Sequence, residues 1–366
     1  MTSNIENQKL DFSKRIIGLD IMRSMAILFV VYSHSVFLLT PNSYYKFNLD
    51  GVNLFFVLSG FLVGKIIYDE FESSQNKLKS LWKFWVFRWV KTLPSYFIIL
   101  LILFSWTYFK DQDTSEFKMS FLFFGQNFYD LHNQLFKESW SLSVEEWFYL
   151  LFPLLLMLSI YLTKSLKKSF LFWIIFFILF SQVAKYYAEF RFGSDTDFKD
   201  TVRKIVIYRF DSIMFGVLMF VLESKFSTFF NKFKIHLLLL GIAFLVLLEI
   251  NWQLLESYGG RNLRMSLETI SAALLLPFFF RIRQLKFHFL NFFFLQISKI
   301  SYALYLVNLS FVLMIIIPKM NEIFKIDAIG LIPYLCFWIL SIFFAYMLYF
   351  LIEKPLVSRR KYFVPK

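Results

Sequence analysis

Apolar residues fall in long blocks separated by short polar loops, and the blocks have the length of membrane-spanning helices. A span needs roughly 20 mostly apolar residues. Ten stretches meet that length: 17–39, 51–69, 90–109, 141–163, 169–186, 204–223, 233–251, 263–280, 296–317 and 330–352. The pattern predicts an all-α, polytopic membrane helix bundle of about ten transmembrane helices. The run 119–129 is too short to span and is expected at the interface or as a re-entrant segment. The longest polar gaps are loops rather than soluble domains.

Composition agrees with that pattern. The chain has 366 residues, 58% of them hydrophobic and 18% charged, with 52 Phe. A soluble domain is usually about a quarter charged. The net charge of +13 is spread through short loops and forms no concentrated basic patch, so nucleic acid is not expected as a partner. The tails and the loops on their side hold the larger share of the 39 Lys and Arg, which places both termini in the cytoplasm. The loop near 185–204 runs against that trend. It is rich in Asp, which suits an ordered outer segment. With a single cysteine, Cys336, no intrachain disulfide can form, and no Cys/His spacing suggests a metal site.

Ionisable residues inside a span are costly and mark functional candidates. The first span carries Asp20, Arg23 and His34. Arg23 and His34 are eleven residues apart, so they share a helix face about 16 Å apart along the axis. Asp20, three residues before Arg23, is placed to pair with it. In the fourth span, Glu145 and Glu146 lie near the outer helix end, at the depth expected for His34. A carboxylate beside that imidazole would orient it and raise its basicity. Arg88 and Lys91 share one face of a helix entering from the cytoplasm and are expected near the inner surface, where such a pair could bind phosphates. Ordinary alternatives exist for each: snorkelling for Arg23, interfacial placement for His34, a positive-inside flank for Arg88 and Lys91. Gly51, Ser59, Gly60 and Gly64 have the spacing of close helix packing. Tyr302 and Tyr305 read as bundle or interface aromatics, and Trp140 and Trp147 as sugar-site or interfacial residues.

Seven segments then resemble, in order, the acyltransferase type 3 membrane family. They are GLDIMRSMAILFVVYSH (18–34), GVNLFFVLSGFLVG (51–64), FRWVKTLP (87–94), WSLSVEEWFYLLFP (140–153), YRFDSIMFGVL (208–218), ISYALYLVNLS (300–310) and YFLIEKPL (349–356). The resemblance implies a cytoplasmic tail at 1–15, an acyltransferase domain at 16–354 and a basic cytoplasmic tail at 355–366. It also implies a stand-alone form without the esterase-like domain fused to some members. It implies transfer of an acyl group, most simply acetyl, from acyl-coenzyme A to a hydroxyl of a cell-surface or lipid-linked glycan at a bacterial inner membrane. Acyl-coenzyme A is then a substrate rather than a resident cofactor, and the partners are that donor, the glycan acceptor and membrane lipid. In that reading His34, Glu145 and Glu146 are catalytic and Arg23, Arg88 and Lys91 bind the donor. Asp20, Asn53, Ser59, Arg209, Asp211, Tyr305 and Asn308 are supporting candidates. Three positions depart from the family pattern. Asn53 stands where an acidic residue is common, Lys91 where Arg is common, and Asn308 where many members have His, which puts any role of Asn308 in proton transfer in doubt. The competing reading is a transporter or flippase for a lipid-linked or acylated molecule. It predicts broken helices in corresponding halves, and none is apparent in the pattern.

Overall fold

The structure is a computed structural model that describes residues 15–39, 50–110, 117–128, 135–192, 202–250, 255 and 259–363. Its elements are α1 (Ile17–Ser35), α2 (Gly51–Ser73), α3 (Lys77–Phe109), α4 (Ser139–Thr163), α5 (Leu166–Phe192), α6 (Phe210–Lys225), α7 (Ser227–Ile250), α8 (Gly260–Phe280), α9 (His288–Val307) and α10 (Leu331–Leu348). Helix α9 continues through a π-helical segment, Asn308–Ile316, into Ile317–Phe324. Helix α10 continues through a second π-helical turn, Tyr349–Glu353. No strand occurs among the described residues.

Nine of these helices are long and apolar enough to cross a membrane. The outer surfaces of α5 and α7 are apolar, with Phe172, Phe176, Leu179, Leu239 and Leu247 exposed. In water such a surface would be an aggregation site, and in a bilayer it is the lipid contact. The expected span at 204–223 is the exception. It opens with a 3-10 turn at Val206–Tyr208, and its α-helix has 16 residues. At 1.5 Å per residue α6 is about 24 Å long, short of the roughly 30 Å apolar core. Its N-terminus is recessed in the bundle, where the Asp211 amide donates to Ser181 Oγ on α5 at 3.2 Å. Helix α6 survives in that position by packing tightly on α2. A Cβ at Gly60 would overlap the carbonyl oxygen of Ile213, and one at Gly216 that of Val57. The two backbones therefore touch directly, as small-residue helix pairs do.

Helix α3 also differs from expectation. It has 33 residues and begins at Lys77, not near residue 90. Asn76 starts it by accepting the Lys79 amide at 3.0 Å. Its first dozen residues carry Lys77, Lys79 and Lys83, so Arg88 and Lys91 lie well inside the helix rather than at its entry. The stretch 119–128 forms a 3-10 turn at Met119–Phe123, whose Phe121 is fully buried beneath Tyr96. Tyr96 donates its hydroxyl to the Phe121 carbonyl at 3.0 Å.

Candidate active site

A cleft of about 90 Å³ opens among α1, α2, α3, α4 and α9. Arg23, Arg88 and Lys91 bring three cations to its wall. Glu145, Ser59, Ser141, Thr92, Tyr302 and Tyr305 add polar groups, and Phe55 and Phe56 supply apolar surface. The placement of each cation follows from helix geometry. Arg88 and Lys91 lie three residues apart, one turn of α3, and face the same space. Arg23 comes to it from α1.

Arg88 is the anchored member. Its Nη2 donates to Glu145 Oε2 at 3.0 Å, and its guanidinium carbon lies 3.8 Å from the centre of the Tyr149 ring. Tyr149 is held in turn by the Ser59 hydroxyl. Arg23 and Lys91 have no hydrogen-bond acceptor among the described residues. Glu353 and Glu145 act on Lys91, and Asp20 and Glu145 on Arg23, only through space, so both cations keep donors free for anionic oxygen.

His34 lies at the other end of α1, half-buried and outside the wall of this cleft. Its Nδ1 meets Asn308 Oδ1 at 2.6 Å. The Asn308 amide nitrogen donates to the carbonyls of Leu304 at 2.9 Å and Tyr305 at 2.8 Å. That fixes the amide's orientation, so its oxygen must accept and His34 Nδ1 must carry the proton. The lone pair is thereby left on Nε2, the arrangement a general base or nucleophile needs.

Several expectations are corrected here. Glu145 and Glu146 do not orient His34. Glu145 pairs with Arg88, and Glu146 accepts from Thr92 Oγ1 at 3.1 Å. The physical reason is depth: α3 is long enough to carry Arg88 up to the level of Glu145. Arg88 and Lys91 accordingly sit in the bundle rather than at its inner surface. Asn308, whose role was in doubt, is the group that holds the imidazole. Asp20 does not pair with Arg23, because Arg15 folds back from the helix start and grips it through Nε at 2.6 Å and Nη2 at 2.7 Å. Ser298 donates to the same carboxylate at 2.6 Å. Tyr305 is no mere packing aromatic. It lines the cleft one turn below Asn308, donates to the Glu138 carbonyl at 2.9 Å and contacts Ser141 Oγ at 2.5 Å.

Arg209 and Asp211 belong to a separate place. Arg209 is buried and donates to Asn53, whose own amide donates to Asp50 Oδ2 at 3.0 Å. Asp211 pairs with Lys185, both side chains fully buried. Neither Glu138 nor Lys185 stands out in the sequence. Glu138 lies just before the expected fourth span at 141–163, and Lys185 at the very end of the expected fifth at 169–186. In the structure the Glu138 carboxylate is buried against Ser310, and burial pushes it up to about 7. Among the described residues no group of His, Cys, Asp and Glu could hold a metal ion.

The comparison with known families decides the identity. The family described as acyltransferase domain matches residues 16–353. The chain belongs to that family. It is similar to the peptidoglycan O-acetyltransferase of Listeria monocytogenes, 29% identical over 170 residues, or 42% of this chain and 26% of that protein. A Bacillus subtilis protein named provisionally as a peptidoglycan O-acetyltransferase is 29% identical over 172 residues, covering 43% of this chain and 26% of its own length. A Staphylococcus aureus protein named provisionally as an O-acetyltransferase is 27% identical over 172 residues, covering 43% and 27%. The chain thus matches only about a quarter of the length of these curated relatives. No solved structure matches.

Proposed function

We propose that this family member is a membrane O-acyltransferase that moves an acyl group, acetyl in the simplest case, from acyl-coenzyme A to a hydroxyl of a cell-surface or lipid-linked glycan. The observation that supports the reading is the pair of cations without a hydrogen-bond acceptor among the described residues, Arg23 and Lys91, beside Arg88 in one intramembrane cleft. Coenzyme A is a polyanion on a long flexible arm. Its phosphates suit the three cations, and its pantetheine arm suits the roughly 16 Å that separates Arg23 from His34 along α1. Ser59, Ser141, Phe55 and Tyr305 line the same cleft as the cations, and Tyr305 is one turn from Asn308, which holds His34.

At the outer end, His34 Nε2 accepts the proton of the acceptor hydroxyl as its oxygen attacks the thioester carbonyl. The tetrahedral adduct collapses to the ester, and the departing thiolate takes the proton from the imidazolium. The alternative order places the acyl group first on Nε2 and then on the acceptor. Both orders use the same tautomer. The names of the bacterial relatives support acetyl as the group, the bacterial inner membrane as the location and an envelope glycan as the acceptor.

Incubating membranes that contain the protein with acetyl-labelled acetyl-coenzyme A tests the proposal. It predicts label in an ester of a glycan fraction, released by mild base, and none in membranes lacking the protein. Movement of an acylated molecule across the membrane with no consumption of any acyl-coenzyme A would support the transporter reading instead.

A further inference from the structure

The π-helical segment that follows α9 begins at Asn308, the residue that holds His34. A wide turn of this kind leaves backbone groups without their usual partners, and π-turns are often found at functional sites. Here the loose ends are taken up from outside the helix. The Ser310 amide donates to Glu138 Oε1 at 3.1 Å and Oε2 at 3.2 Å, and the Ser310 hydroxyl donates to the same carboxylate. The Lys137 amide donates to Ser310 Oγ at 3.0 Å. The carbonyls of Leu304 and Tyr305, one turn earlier, accept from the Asn308 side chain. Tyr305 is then tied to the Glu138 carbonyl by its hydroxyl.

The order of cause runs from one carboxylate to the imidazole. Glu138, 1% exposed at the start of α4, draws the Ser310 amide out of the helical ladder. An inserted side chain that captures a ladder donor is a recognised cause of a break in a helix. Asn308, at the start of that turn, binds two carbonyls of the preceding turn through its side chain, and the Leu304 carbonyl also keeps its bond from the Asn308 backbone amide. Those two bonds set which atom of Asn308 faces His34, and that sets the tautomer of the ring. The Glu138 carboxylate bonds to Ser310 and not to His34, and only its backbone carbonyl meets a cleft-lining residue, Tyr305.

We infer that Glu138 is a positioning residue for acyl transfer, acting through Ser310 and the π-turn to hold Asn308 so that His34 presents an unprotonated Nε2. The inference rests on the acyl-transfer reading for its kinetic consequence and on the hydrogen-bond geometry for its structural one. The two can be tested apart.

Labelled acetyl transfer is compared for wild type, Glu138→Ala, Glu138→Gln, Asn308→Ala and the double variant Glu138→Ala/Asn308→Ala. Loss of one oriented hydrogen bond at a reacting group corresponds to about a tenfold change in rate. Glu138→Ala is therefore expected to lower turnover about tenfold with KM for acetyl-coenzyme A within about twofold of wild type. Glu138→Gln keeps one acceptor for Ser310 and recovers part of that loss, which also serves if the alanine variant folds poorly. In the Asn308→Ala background, replacing Glu138 costs less than about twofold more, because the two act on one event. Losses that multiply in the double variant, full activity in Glu138→Ala, or an effect confined to KM would each overturn the inference.

The second readout needs no turnover. The nitrogen-15 resonances of His34, assigned with His34→Ala, are expected to show protonated Nδ1 in wild type and a shift toward protonated Nε2 in Glu138→Ala and Glu138→Gln. An unchanged tautomer in both variants would overturn the inference. An inactive wild type that still shows this tautomer change would leave the placement of Glu138 standing and overturn the acyl-transfer reading alone.

Discussion

Two clusters of buried charge lie in this bundle, and they are built on opposite plans. In the seam between α5, α6 and α8 the central charges form a bonded ion pair. Lys185 pairs with Asp211, and Gln182 donates to the same carboxylate at 2.9 Å while accepting from Ser266 at 3.0 Å. Asn262 donates to Glu189 at 2.6 Å. In the cleft between α1, α3 and α4, Arg88 alone is bonded to a carboxylate, Glu145, while Arg23 and Lys91 line the cleft without a hydrogen-bond acceptor among the described residues. Both places bring cations and carboxylates into the bundle. The difference is direct bonding: a bonded ion pair holds helices together, and cations with free donors can take a ligand of opposite sign.

The contrast breaks most sharply at Lys185. Removing one partner of a buried ion pair costs about 3–5 kcal/mol, because the other charge is stranded. Lys185→Met alone is expected to abolish the folded protein in detergent, read as loss of a monodisperse peak and of the melting transition. Pairing it with Asp211→Leu is expected to restore much of the stability. A Lys185→Met protein that folds normally would mean that the seam is not the brace described here.

Lys91→Gln makes the opposite demand. A charged hydrogen bond contributes about 1.5–3 kcal/mol, so KM for acetyl-coenzyme A should rise roughly 10- to 100-fold while the melting temperature falls far less than in Lys185→Met, since Lys91 gives up a through-space interaction with Glu353 and no direct ion pair. A fall in stability with unchanged KM would place Lys91 with the structural charges instead.

Much of this contrast is invisible in the sequence, for physical reasons. Periodicity along α1 places Arg23 and His34 on one face, because three turns of one helix are a local property. The pairing of Arg88 with Glu145 is not local. It depends on where α3 begins, and the amphipathic stretch from Lys77 to Val90 reads as a loop flank until the helix is seen to run through it. Arg15 escapes for a similar reason. It lies before the helix and reaches Asp20 only by folding back. Asn308 looks like a loss against the family pattern, yet an amide can replace an imidazole where the task is to accept one hydrogen bond. Glu138 gives no signal beyond being an acid next to a span.

The smallest expected effect concerns Glu138 itself. Burial is the main cause that pushes its carboxyl from the ordinary 4.5 to about 7, opposed by the bonds from Ser310 and by Lys137. Tyr305 is the neighbouring titratable group on α9. A raised carboxyl binds a proton more tightly in the folded than in the unfolded chain. Its contribution is complete below about 4.5 and is lost as pH rises through 7. The melting temperature in detergent is expected to decline by a few degrees between those limits, and Glu138→Gln to flatten the decline. An equal decline in the variant would assign it to another group.

The central claim is that an imidazole held as its Nδ1–H tautomer performs the transfer while the cations of a separate cleft hold the donor. The most direct measurement compares membranes containing equal amounts of wild type and His34→Ala, supplied with labelled acetyl-coenzyme A at a concentration that saturates the wild type. The account predicts labelled glycan with wild type, none above background with His34→Ala, and equal retention of the unreacted donor by both. Equal labelling of glycan by the two proteins would contradict it.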